Sequence, residues 1–131
     1  MYHLLLPTIL FLIFFIADWY NTQKGILPDA SNEGNPITKY LHRKAPRWLF
    51  HGLHAFYGIA IASLILVGGK LGLWMGYSSI VYNFIGYLSW TKLNRWKQKT
   101  NWFGWTPLLL VGSLVIGYLF VSLHEWVWLR Q

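Results

Sequence analysis

Four stretches of about 20 predominantly apolar residues fill most of this chain, and the polar residues that interrupt them gather near the ends of those stretches. A hydrocarbon core about 30 Å thick takes roughly 20 helical residues to cross, and a backbone exposed to lipid must satisfy its own hydrogen bonds. The pattern predicts an all-α polytopic membrane protein, one domain over 1–131, with four transmembrane helices in an antiparallel bundle. The spans read as about 4–20, 48–67, 71–90 and 102–127, joined by long polar loops at 23–47 and 91–101. Spans two and three are separated by little more than Val67-Gly68-Gly69-Lys70, which predicts a tight antiparallel hairpin. Pro28, Pro36 and Pro46 predict a 23–47 loop ordered by turns.

The cations orient the chain. Lys24, Lys39, Arg43, Lys44 and Arg47 occupy the first long loop and Lys92, Arg95, Lys97 and Lys99 the second, leaving only Lys70 and Arg130 on the other side. Because positive charge accumulates on the cytoplasmic side, both long loops are predicted to be cytoplasmic and both termini outside. Trp19, Trp48, Trp90, Trp102 and Trp105 flank the basic loops, and Trp74, Trp126 and Trp128 lie toward the far ends, as two interfacial belts would. The net charge of +7 follows from this topology, so the predicted partners are the bilayer and anionic lipid head groups at the basic loops, with no nucleic acid. The first span lacks a basic leader and a small-x-small cleavage site, which predicts a retained helix. The absence of cysteine removes disulfides, thiolate metal sites and cysteine nucleophiles from consideration.

Asp18 is the most unusual placement, directly after Leu10-Phe11-Leu12-Ile13-Phe14-Phe15-Ile16-Ala17. A carboxylate within a span is costly and calls for compensation. Thr22 lies four residues on, and so on the same helical face. The following loop supplies Glu33-Gly34-Asn35-Pro36, and the second span opens with His51 and His54, three residues apart and about 60° apart around a helix. Asp18, Thr22, Glu33, Asn35, His51 and His54 are therefore predicted to converge at the cytoplasmic end of the first two spans. Asp18, Glu33, His51 and His54 could hold a divalent metal, or the same groups could relay protons. The bland alternative pairs Asp18 with a loop cation or local backbone and leaves the histidines at the interface. His-x-x-His lacks the i, i+4 spacing of zinc-protease helices, so no cofactor is fixed.

The elements Asp18-x-x-x-Thr22, Glu33-x-Asn35-Pro36 and the span after them resemble an uncharacterised family of small four-helix bacterial and archaeal membrane proteins, a domain of unknown function. That resemblance covers roughly residues 14–60 and implies the fold and a bacterial inner (plasma) membrane, with no activity attached. The family tends to carry a lysine early in the second span, where only His51 or His54 stands here. Phe50-His51-Gly52-Leu53-His54-x-x-x-Gly58 is also similar to a helix motif in subunit III of haem–copper oxidases, a lipid-binding subunit without redox metal, which implies an accessory role.

At the other end His3, His124 and Glu125 form a second polar group if helices one and four adjoin, and otherwise snorkel to the interface. Asn83 is the one polar group near mid-membrane, predicted to hydrogen-bond between helices or to line a pocket. Gly58, Ala62, Gly76, Gly86, Gly112 and Gly117 would permit close helix approach. So thin a bundle is predicted to self-associate or join a larger membrane complex. The ranking places a non-catalytic accessory or oligomeric module first, an intramembrane metal-dependent enzyme or metal-handling protein second, and a small transporter or channel third. Two isolated polar groups, Asp18 and Asn83, make a poor ion path.

Overall fold

The computed structural model describes residues 2–26, 28–31, 33, 35–90 and 102–128, so the basic segment 91–101 lies outside the described residues. They form helices α1 (Tyr2–Gly25), α2 (Pro36–Lys44), α3 (Arg47–Val67), α4 (Gly69–Trp90) and α5 (Trp102–Trp128), with no strand among them. Three helices contain segments long and apolar enough to cross a membrane: His3–Gly25, Arg47–Val67 and Pro107–Trp128. Only 17%, 22% and 22% of their most apolar windows are buried. Leu6, Ile9, Ile13 and Ile16 of α1, Phe56 and Ile59 of α3, and Leu108, Val115 and Leu119 of α5 face outward. Apolar surface of this extent points to a small membrane protein.

The remaining stretch, third in chain order, is α4, which is long enough but is interrupted by glycines, tyrosines, Ser78, Ser79 and Asn83. Its position accounts for that composition. α4 packs against α1, α3 and α5, so Ser78, Ser79 and Asn83 are buried inside the bundle. The compact core joins Phe11 and Phe15 of α1, Ile61 and Ile65 of α3, Leu73 of α4 and Val121 of α5. Phe14 packs edge-on against Phe84, while Lys70 pairs with Glu125, so α4 runs parallel to α1 and antiparallel to α5.

The connection between α3 and α4 is a single residue, Gly68, whose N–H donates to the Leu64 carbonyl at 2.8 Å. Gly69 then takes φ +57°, where a side chain would be strained. The first long loop departs from the turns its prolines predict, because it contains α2. Pro36 supplies a preset φ at the first helical position, and the Asn35 carboxamide oxygen accepts from Ile37 N–H at 3.0 Å and Thr38 N–H at 3.3 Å. The tryptophans also divide. Trp48, Trp126 and Trp128 are exposed as interfacial residues would be, whereas Trp74 donates its indole N–H to the Leu114 carbonyl at 2.8 Å, within the bundle. The side chains of Trp90, Trp102 and Trp105 lie outside the description.

Candidate functional site

The last turns of α1 carry Asp18, Trp19 and Thr22 to the end of the bundle that Glu33 and Asn35 also reach. Asp18 rests on α4, where Gly86 leaves room for the carboxylate, and Tyr57 and Tyr82 line the same cavity. Thr22 is buried one turn further along.

Asn35 ties the loop to the bundle. While its oxygen caps α2, its Nδ2 donates to the Tyr82 hydroxyl of α4 at 3.2 Å, and its backbone N–H donates to Glu33 Oε1 at 2.8 Å. These bonds hold Glu33 inside, with 5% exposure. From α3, Tyr57 donates to Ser79 Oγ at 3.2 Å and also meets Asn83. Asn83 donates to the Ser79 carbonyl at 2.7 Å, so its carboxamide serves both its own helix and the α3–α4 contact.

These groups surround one cavity of about 380 Å³. Its wall includes Asp18, Thr22, Glu33, Asn35 and His54 from the predicted polar cluster, together with Asn83. His51 is the exception. It lines a neighbouring cavity of about 360 Å³ with Gln23, His42 and Arg47. The rings of Trp19 and Phe50 pack against both histidines: Trp19 lies 5.5 Å from His51 and 4.8 Å from His54, centroid to centroid. Among the described residues no three His, Cys, Asp or Glu side chains assemble as a metal-binding group, so Asp18, Glu33, His51 and His54 do not form a common ligand set. His54 instead stacks on Phe15 at 4.7 Å and an interplanar angle of 16°.

The cavity also uses Trp19, Phe50, Tyr57, Tyr82 and Gly86. For Tyr82 and Gly86 the legible signal is the i, i+3, i+4, i+7 spacing of Ser79, Tyr82, Asn83 and Gly86, which places a stripe of polar and small residues on one face of α4.

At the far end His124 is buried, and its Nδ1 lies 2.9 Å from the Tyr77 hydroxyl, with the His3 ring at 5.6 Å. This replaces snorkelling with packing, because α4 brings Tyr77 to the histidine. Glu125 binds Lys70 at 2.9 Å on the exposed edge.

Comparisons with protein-family models, curated proteins and solved structures return no match for this chain.

Proposed function

We propose that this chain is a four-span integral membrane protein, long loops cytoplasmic and termini outside, that binds a small ligand in the cavity at its cytoplasmic end without transforming it. The cavity carries this reading: residues far apart in sequence, Asp18, Glu33, Asn35, His54 and Asn83, line one space of about 380 Å³, within the size range of small-molecule sites. α4 serves as a further span, third in chain order, because its polar groups face the other helices. Their hydrogen bonds lower the cost of placing them at membrane depth.

The polar pairings favour binding over catalysis. A nucleophile needs a base within hydrogen-bond reach, and here Tyr57 is engaged with Ser79, Tyr82 with Asn35, and His54 with aromatic faces. The exposed apolar faces of α1 and α5 suit lipid and, in an accessory or oligomeric role, a neighbouring subunit. Native mass spectrometry from mild detergent tests the binding. A small molecule retained by the wild type and lost from Gly86→Val, which fills the cavity wall, supports the reading, with Gly112→Val, a glycine facing open space, as the control. Ligand-free wild type that also takes up no probe molecule of any charge would contradict it.

A further inference from the structure

The neighbouring cavity of about 360 Å³ is assembled where three helices meet: Gln23 comes from the last turn of α1, His42 from the last turn of α2, and Arg47 and His51 from the opening turns of α3. Phe50, 6% exposed, fixes both imidazoles. Its ring meets His42 edge-on at 5.7 Å and His51 edge-on at 5.4 Å, centroid to centroid.

Three nitrogens of these side chains are buried and have no hydrogen-bond partner among the described residues: Gln23 Nε2, His42 Nδ1 and His51 Nδ1. Buried polar atoms are ordinarily satisfied, so three of them around one space point to an occupant. The chemistry of the wall says which kind. An amide nitrogen only donates, an imidazole Nδ1 donates in one neutral tautomer and in the protonated ring, and the Arg47 guanidinium is a fixed cation with donors alone. All four Asp and Glu residues of the chain lie among the described residues, and none lines this cavity. Asp29, next to Pro28 in the wall, uses its carboxylate to accept the Ser31 N–H at 3.0 Å. A divalent metal would want carboxylates or a third imidazole, and no group of three His, Cys, Asp or Glu side chains assembles among the described residues. Donors from three helices suit an anion instead. A phosphate group, with several acceptor oxygens, engages more of them at once than a planar carboxylate does.

We propose that this cavity binds a phosphate group, held by Gln23, His42, Arg47 and His51. It lies where the apolar segment Arg47–Val67 begins, which is the depth of lipid head groups once that segment crosses a membrane. The phosphate of an anionic lipid and free inorganic phosphate share this chemistry. The site does not depend on a ligand in the larger cavity.

The test is calorimetric titration of the full chain, delipidated in dodecyl maltoside at about 0.15 M salt, with inorganic phosphate, dihexanoyl phosphatidic acid and acetate. At least one of the two phosphate probes should bind saturably at one site and more tightly than acetate. Arg47→Gln and His42→Leu should each weaken that binding by about tenfold or more, as loss of a charge-assisted contact does. Arg47 is exposed, so its variant tests the site even where His42→Leu fails to fold. Lys44→Gln removes the same charge from an exposed residue outside the cavity and should change affinity by less than about twofold. Equal weakening in Lys44→Gln and Arg47→Gln would reduce the effect to diffuse surface charge and overturn the proposal. Acetate binding as tightly as phosphate, or no saturable binding by either phosphate probe, would overturn it too. Inorganic phosphate binding as tightly as phosphatidic acid supports a free phosphate. Binding of phosphatidic acid alone, with an anionic lipid retained by the wild type and lost from Arg47→Gln in native mass spectrometry, supports a lipid head group.

Discussion

The Asp18 carboxylate of α1 lies directly against Gly86 of α4: a Cβ placed on Gly86 would fall 2.6 Å from each carboxylate oxygen. Gly86→Ala should therefore lower stability by about 1–3 kcal/mol, the usual cost of overpacking. Gly112→Ala should be neutral or stabilise by up to about 1 kcal/mol, because its Cβ meets nothing within 4 Å and alanine is the better helix former. Thermal unfolding in detergent compares them. Combining Gly86→Ala with Asp18→Ala should recover part of the loss, and strict additivity would show that the two residues do not share this contact.

Asn35 joins α2 to the bundle through two different atoms, so its substitutions should separate. Asn35→Ala removes the cap and the bond to Tyr82, at a combined cost of about 1.5–3 kcal/mol. Asn35→Asp keeps the cap and should cost less than Asn35→Ala, while Tyr82→Phe keeps the cap and removes only the acceptor of the Nδ2 bond, at about 0.5–1.5 kcal/mol. Limited proteolysis between α1 and α2 offers a second readout. Equal loss in Asn35→Ala and Asn35→Asp would remove the capping role.

At the opposite end burial decides the ranking. The Lys70–Glu125 pair is 61% and 33% exposed at its side chains, so Glu125→Gln should cost less than about 1 kcal/mol. Tyr77→Phe leaves the buried His124 Nδ1 without its hydroxyl partner and should cost about 1–3 kcal/mol. The reverse order in thermal unfolding would contradict this assignment.

Asp29 carries the pH prediction. The Ser31 N–H donates to its carboxylate at 3.0 Å and holds the group below the ordinary value of 3.8, assisted by the Arg43 charge. A depressed carboxyl contributes stability that is complete above its unfolded value and lost as pH falls through the folded one. Side-chain carbon NMR should give an Asp29 midpoint below 3.8, and a midpoint at or above that value would dismiss the turn bond.

Apolar stretch length made helices legible, since α1, α3, α4 and α5 all follow such stretches. The polar cluster was legible in Asp18, Thr22, Glu33, Asn35 and His54 because i, i+4 spacing and a returning loop constrain where those residues can meet. His51 was not, because a 60° offset suffices to place a histidine in a different cavity once rings such as Trp19 and Phe50 pack beside both. α2 was hidden by its prolines, although Asn35-Pro36 is itself a capping residue followed by the proline position of a first helical turn. Tyr82 and Gly86 share a face of α4 with Ser79 and Asn83 by spacing alone, but that this face and Tyr57 of α3 meet at the cavity depends on how the helices dock, which no local spacing specifies.

The most direct test of a ligand cavity open to the cytoplasm uses the absence of native cysteine. Thr22 lines the cavity and Val115 is exposed on the outer face of α5, so Thr22→Cys and Val115→Cys give single thiols in the two environments. A membrane-impermeant methanethiosulfonate bearing trimethylammonium should modify Thr22→Cys in inside-out vesicles and not in right-side-out vesicles, with Val115→Cys unreactive in both. Modification from the outside only, or no modification from either side, would contradict a cytoplasmic, water-accessible cavity.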